Sequence, residues 1–377
     1  MKRVIKIKLL LGIAICMLSV STTAEIKVTH MFCDEKVNPI GVYPKDLTFS
    51  WIWKSNREND LQQYYRVVVS SNLHNIESGS YDIWDSGRVK SGNNIQIDFA
   101  GKKLKGNKKY YWKVMFWNTI GEKSTWSSIS TFVTALIDEY EWMDAKWIGY
   151  EDLPDEWRVV PGMHTHENRD SIFIKKDAIV PYLRKKFSLE KEVKEAYLSI
   201  SGLGHYESYI NGEKISSDFL SPGWTYYDKQ VLFNTYDVTN YLKSGDNLIA
   251  AIVGNGFHYI NHKRYLKLGI AFGYPKFICN LKVIYTDGSE KNIVSNSSWK
   301  TDLSPIIYSS IYGGEDYDAR KERKGWNHTG YDDKDWRNAV EVSLPGGNLE
   351  PETTYPLEVL NSLDAQKIHK INNSCYT

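Results

Sequence analysis

The sequence predicts an all-β protein of two consecutive sandwiches, a fibronectin-III-like domain followed by a jelly-roll β-sandwich. Three observations carry this. Apolar residues alternate with period two in run after run, as on strands with one buried face. No stretch sustains the 3.6-residue period of a long helix. The 377 residues include 13 Trp and 26 Tyr, and large rings suit half-buried sheet faces.

Residues 1–24 stand apart from this pattern. Lys2, Arg3, Lys6 and Lys8 precede an apolar run from Leu9 to Val20, and small residues from Ser21 to Ala24 follow. That is the layout of a secretory signal peptide cleaved after Ala24. The run is too short to span a bilayer comfortably, so no membrane span is predicted. Bulky Ile15 before Cys16 disfavours a lipid anchor. The expected location is periplasmic or extracellular. Cleavage removes four of the 47 Lys and Arg and none of the 46 acids, leaving about −3. No block of like charge remains, which argues against nucleic acid as a partner. Cys33, Cys279 and Cys375 are too far apart in sequence to read as a disulfide framework or a zinc pattern.

The first domain is read over 25–135. "LTFSWIW" (47–53) puts Leu47, Phe49, Trp51 and Trp53 on one face. Strands at 64–70, 81–87, 95–99, 110–117 and 130–134 follow. The run from Leu104 through Tyr110-Tyr111-Trp112 offers a tyrosine corner at the start of a late strand. Residues 135–152 form the junction. Residues 151–180 read as a long polar loop, and His164 and His166 within it lack an evident third metal ligand.

The second domain is read over 143–345. Strands are expected at 182–189, 195–203, 206–215, 231–242, 244–256, 277–296 and 299–302. Asn211-Gly212 and Asp287-Gly288 are hairpin turn signals, because such turns need positive φ. Residues 346–377 read as a linker and the start of a further β domain.

"IYGGEDYDARKE" (311–322) holds adjacent Glu315 and Asp316. A glycosidase needs two carboxyls facing one sugar across several ångströms. Neighbours on a strand point to opposite faces, so this is a poor catalytic pair and no catalytic residue is assigned. Asp318 and Arg320, two apart, are placed to pair locally, with Tyr312 and Tyr317 read as packing. Two loops offer better candidates for contact with a ligand. "SPGWTYY" (221–227) presents Trp224 and Tyr226 beside a Pro-Gly turn, and "GNGFHYIN" (254–261) places Asn255 and His258 after a buried strand. Asn211 sits at a hairpin tip. These five residues are the predicted carbohydrate contacts.

The whole set of motifs resembles the N-terminal portion of bacterial α-L-rhamnosidases of glycoside hydrolase family 78. The resemblance rests on "YDIWDSGRVKSG" (81–92), "YYWKVMFWN" (110–118), "AKWIGY" (145–150), "LRKKF" (183–187) and "SGLGHYESYINGEKI" (201–215). It continues through "SPGWTYYDKQVLFNTYDVT" (221–239), "NLIAAIVGNGF" (247–257) and "IYGGEDYDARKE". It implies hydrolysis of terminal α-L-rhamnosyl residues in plant glycans such as rhamnogalacturonan. It also implies that the catalytic centre lies in a helical (α/α)6 barrel downstream, so that this chain is inactive alone. A free-standing secreted carbohydrate-binding protein is the alternative. Some jelly rolls at this place in the family bind L-rhamnose through calcium. Here Ile210 stands before Asn211 where an acid is wanted, so calcium is disfavoured and no cofactor or metal is predicted. A rhamnose-containing glycan is the expected partner.

Overall fold

The computed structural model describes residues 26–159, 179–261, 264, 269–372 and 375–376. The signal-peptide reading and the His164/His166 pair lie outside them. Strands dominate, and Leu73–Ser78 is the one α-helix among the described residues. Asn72 opens that helix by accepting from the Asn75 amide, and Gly79 closes it at φ 83°.

In the first sandwich, a three-stranded sheet (Lys27–Cys33, Thr48–Lys54, Ile97–Asp98) faces a six-stranded one built around Gln62–Ser70 and Lys109–Asn118. The period-two pattern works as expected at Phe49 and Trp51, which are buried while Ile52 is exposed. Phe49 meets Trp112 of the opposite sheet with ring centroids 4.5 Å apart. The tyrosine corner is present: the buried Tyr110 hydroxyl accepts from the Lys105 amide at 2.8 Å. That bond satisfies the hydroxyl where burial would otherwise penalise it.

Two larger sheets make the second sandwich. One is centred on Val193–Leu203 and Lys276–Tyr285, the other on Pro181–Leu189 and Gly245–Gly254. Their inner faces bury Leu183, Leu198, Ile200, Ile249, Ala251, Leu281 and Trp299. Asn211 and Gly212 have φ of 53° and 97°, as a two-residue hairpin of the primed type requires. At the second signal only Gly288 is positive, at φ 82°, and the Tyr285 amide bonds the Ser289 carbonyl. That is a three-residue loop rather than a two-residue one. The strand expected over 231–242 stops at Asp237, because Thr239 turns back onto the Asp237 carboxylate through its amide and hydroxyl.

Tertiary packing joins the sandwiches. Trp142 and Trp147 of the junction are buried with Tyr227, Phe233 and Ile278 of the second sandwich. Glu141 accepts from the amides of Gly106 and Ile137, and its own carbonyl accepts from Asn280. Beyond the second sandwich, Asn348–Pro351 adds as a parallel strand to Gln230–Asp237. The chain then crosses to the first sandwich, where Lys36 donates to the carbonyls of Thr353 and Thr354. The expected linker is therefore a strap that touches both sandwiches.

Lys276 is a cost within this core. Its side chain is 2 % exposed, and its ammonium reaches the Ser343 carbonyl at 2.9 Å and Asp152 at 4.0 Å. Burial pulls its pKa down to about 8 from 10.5, with the Asp152 charge opposing. Between those values the unfolded chain holds a proton that the folded chain has lost, so this group's penalty fades as pH rises from 8 to 10.5. Lys276→Met is expected to gain up to about 3 kcal/mol over the native protein at pH 7, at 1.36 kcal/mol per unit. That gain should vanish by pH 10.5. Urea unfolding at both pH values checks this, and an advantage independent of pH would refute it.

Candidate functional site

The five predicted contacts divide into two groups. Asn211 is a structural residue. Its side-chain amide donates to the Tyr241 carbonyl and Asn247, and its side-chain oxygen accepts from the Leu248 amide. The hairpin that brings Asn211 to a tip also spends its polar atoms on the neighbouring loop. Asn255 and His258 are fully buried. Asn255 donates to the Ser309 carbonyl at 2.9 Å, while its side-chain oxygen has no partner. His258 lies between Tyr227 and Phe272, with centroids 5.4 and 6.0 Å away. Burial, with help from the Lys276 charge, pushes its pKa well below the usual imidazole value. It is therefore a neutral core ring. These three are corrections: as placed, Asn255 and His258 offer no surface to an external sugar, and Asn211 offers no spare donor.

Trp224 and Tyr226 do reach the surface, at 55 % and 45 % exposure. Trp224 stacks on Phe257, with centroids 4.9 Å apart and planes at 20°. Tyr312, 49 % exposed, also meets Phe257, edge-on at 5.9 Å. Three separate loops thus build one aromatic platform. The Pro-Gly turn carrying Trp224 is held by the strap, since the Gly223 amide donates to Glu352 at 3.0 Å. Phe257 follows Asn255, which is anchored to the strand Ile306–Ser310. Tyr312 sits in the turn between that strand and Gly314–Tyr317.

The acidic run is therefore a β-hairpin. Glu315 and Asp316 lie side by side on its second strand, cross-strand from Ser309 and Tyr308. Asp316 pairs with Arg264, whose guanidinium lies 4.1 Å from the Tyr308 ring centroid. Asp318 accepts from Arg320 through two guanidinium nitrogens, at 2.8 and 2.9 Å, and this pairing holds the Asp318 pKa down at about 2. The local pair is as expected. The packing role given to Tyr312 and Tyr317 holds only in part: Tyr312 packs edge-on against Phe257, and both residues are about half exposed. Phe257 and Tyr312 are platform residues that sequence reasoning missed. The signal was their position beside glycines, at Gly256 and Gly313-Gly314, where the backbone turns sharply enough to present a ring. No group of three His, Cys, Asp or Glu suited to a metal ion occurs among the described residues.

Two consecutive sandwiches, the first immunoglobulin-like, place the chain in the class of multi-domain all-β proteins. Comparison with known proteins narrows it. The model of the α-L-rhamnosidase N-terminal domain matches residues 191–361, and that of the Rha78A-like N-terminal immunoglobulin domain matches residues 28–138. An α-L-rhamnosidase of Formosa agariphila is 34 % identical over 342 residues, covering 89 % of this chain and 36 % of the relative. One from Alteromonas sp. is 34 % identical over 331 residues, covering 87 % and 34 %. The solved α-L-rhamnosidase of Dictyoglumus thermophilum superposes with a TM-score of 0.79 at 37 % identity, over 93 % of this chain and 38 % of that one. The Streptomyces avermitilis α-L-rhamnosidase complexed with L-rhamnose shares the fold, with a TM-score of 0.80 at 21 % identity, over 93 % and 48 %. The chain corresponds to the accessory N-terminal region of α-L-rhamnosidases. It spans about a third to a half of the length of these relatives.

Proposed function

We propose that the chain serves an α-L-rhamnosidase by engaging rhamnose-containing glycan outside the cytoplasm, after export and removal of residues 1–24. The observation that carries this is the Trp224–Phe257 stack, with Trp224 left more than half exposed beside Tyr312. Exposed rings give a sugar an apolar face to lie on, and Tyr226 adds a hydroxyl nearby. Hydrolysis is not assigned to this chain by itself, since Glu315 and Asp316 are neighbours on one strand rather than a facing pair. Released nitrophenol from nitrophenyl α-L-rhamnoside, abolished by Glu315→Gln, would contradict that.

An open platform desolvates few ligand atoms, so a dissociation constant of roughly micromolar to millimolar is expected. The test is calorimetric titration with L-rhamnose and with rhamnogalacturonan fragments. Trp224→Ala combined with Tyr312→Ala should weaken binding about tenfold or more, at a cost of about 1–3 kcal/mol for lost ring contacts. Asn211→Ala should lower stability and leave affinity unchanged. Equal affinity in the native and double-variant proteins would show that the platform is not the contact surface.

A further inference from the structure

The outer face of the six-stranded sheet in the first sandwich carries a second array of rings, separate from the platform. Strand register places Lys90 opposite Tyr64, Tyr64 opposite Trp117, and Trp117 opposite Lys123. Cross-strand partners share a face, so these four residues form one row across the sheet. Above the row lies Arg88, its guanidinium carbon 4.1 Å from the Tyr64 centroid and 4.8 Å from that of Trp117. A guanidinium stacked on rings keeps its in-plane N–H donors available. Arg88, Lys90 and Lys123 are all exposed, and none forms an ion pair among the described residues.

The same sheet face supplies the contrast. Two residues further along the central strand, Arg66 also lies over rings, at 5.6 Å from Tyr81 and 5.8 Å from Trp126. It is neutralised by a bidentate pair with Asp85, at 2.8 and 2.6 Å. Lys113 beside it is buried and donates to the Ile76 carbonyl at 2.8 Å. Those cations have their partners within the fold. The cations of the Tyr64–Trp117 row lack one, although a carboxylate like Asp85 would have sufficed.

We infer that the row formed by Tyr64, Trp117, Arg88, Lys90 and Lys123 is a binding site for an acidic sugar residue of a glycan. Arg88 takes the anionic group in bidentate fashion, which suits a planar carboxylate and also fits a sulfate ester. Lys90 and Lys123 flank it as point charges. The two rings hold Arg88 in place and give the sugar an apolar edge. This inference does not depend on the platform of the second sandwich, and it adds negative charge to the chemistry the chain selects.

Affinity electrophoresis of the full chain tests it, in gels holding polygalacturonate, its fully methyl-esterified form, dextran sulfate or neutral dextran. Polygalacturonate should retard the protein, methyl esterification should abolish the effect, and 0.5 M salt should largely screen it. Arg88→Ala should reduce the apparent affinity about tenfold, while Lys45→Ala, at an exposed lysine outside the row, should change nothing. Retardation by dextran sulfate equal to that by polygalacturonate would support the anion site with sulfate as the natural group. Equal retardation by acidic and neutral polymers, or by polygalacturonate in native and Arg88→Ala proteins, would overturn the inference. So would tighter binding of a single-stranded oligonucleotide than of any acidic glycan. Arg88 is exposed, so its alanine variant should fold, and an unchanged circular dichroism spectrum confirms that the row is being read.

Discussion

Asp333→Ala is expected to cost about 3–5 kcal/mol of stability, as found when one partner of a buried ion pair is removed. Arg184 stands in the middle of the strand Pro181–Leu189 with its side chain 0 % exposed. Its guanidinium pairs with Asp333 and donates to the His328 carbonyl at 2.9 Å, and it lies 5.2 Å from the Tyr331 ring. Burial already pulls its pKa below the usual arginine value, against the Asp333 charge. Without that carboxylate the core holds a charge with one carbonyl as its only remaining acceptor among the described residues. Arg184→Met with Asp333→Leu removes both charges and should recover most of the loss, because a packed apolar pair avoids the desolvation penalty. Urea unfolding of the single and double variants makes the comparison. A single variant within about 1 kcal/mol of the native protein would show that water already reaches the guanidinium.

Gly204→Ala should be comparably damaging for a different reason. An added Cβ would lie 2.1 Å from the Asn255 carbonyl oxygen, 2.2 Å from its carbon and 2.5 Å from the Gly256 nitrogen. All three are backbone atoms, so no side chain can swing away. The segment 203–205 and the loop after Gly245–Gly254 must separate, and the Gly204 amide bond to the Gly254 carbonyl at 3.2 Å goes with them. Overpacking of this kind costs about 3 kcal/mol or more. The displaced loop carries Phe257, so glycan affinity should fall along with stability. At Gly245, where a Cβ would meet nothing within 4 Å but φ is 87°, alanine should cost only about 1 kcal/mol. If both alanines cost the same, the two backbone segments separate easily and close approach does not set the cost at Gly204.

Much of the architecture was legible before the fold. Alternation at Leu47, Phe49 and Trp51 gave a strand and its buried face, because a strand's side-chain period is two whatever it packs against. The Asn211-Gly212 turn and the Tyr110 corner are also local devices, complete within a few residues. Arg184 was not legible as a buried charge. Alternation puts Arg184 and Lys186 on the face opposite Leu183 and Phe187, and only the return of 326–336 across that face covers Arg184.

The candidate sites show the division most clearly. Sequence alone determined two β-sandwiches, their main strands, and which loops carry rings and amides, since these follow from short-range periodicity and turn chemistry. Tertiary structure decided which of those loop residues reach water. Trp224 and Tyr312 became one platform because both contact Phe257, while Asn255 and His258, on the same loop as Phe257, were turned into the core. Strand register likewise decided that Lys90, Tyr64, Trp117 and Lys123 form one row. A loop's composition fixes what it can offer. Its exposure depends on packing against segments distant in sequence, whose free energy no local pattern records.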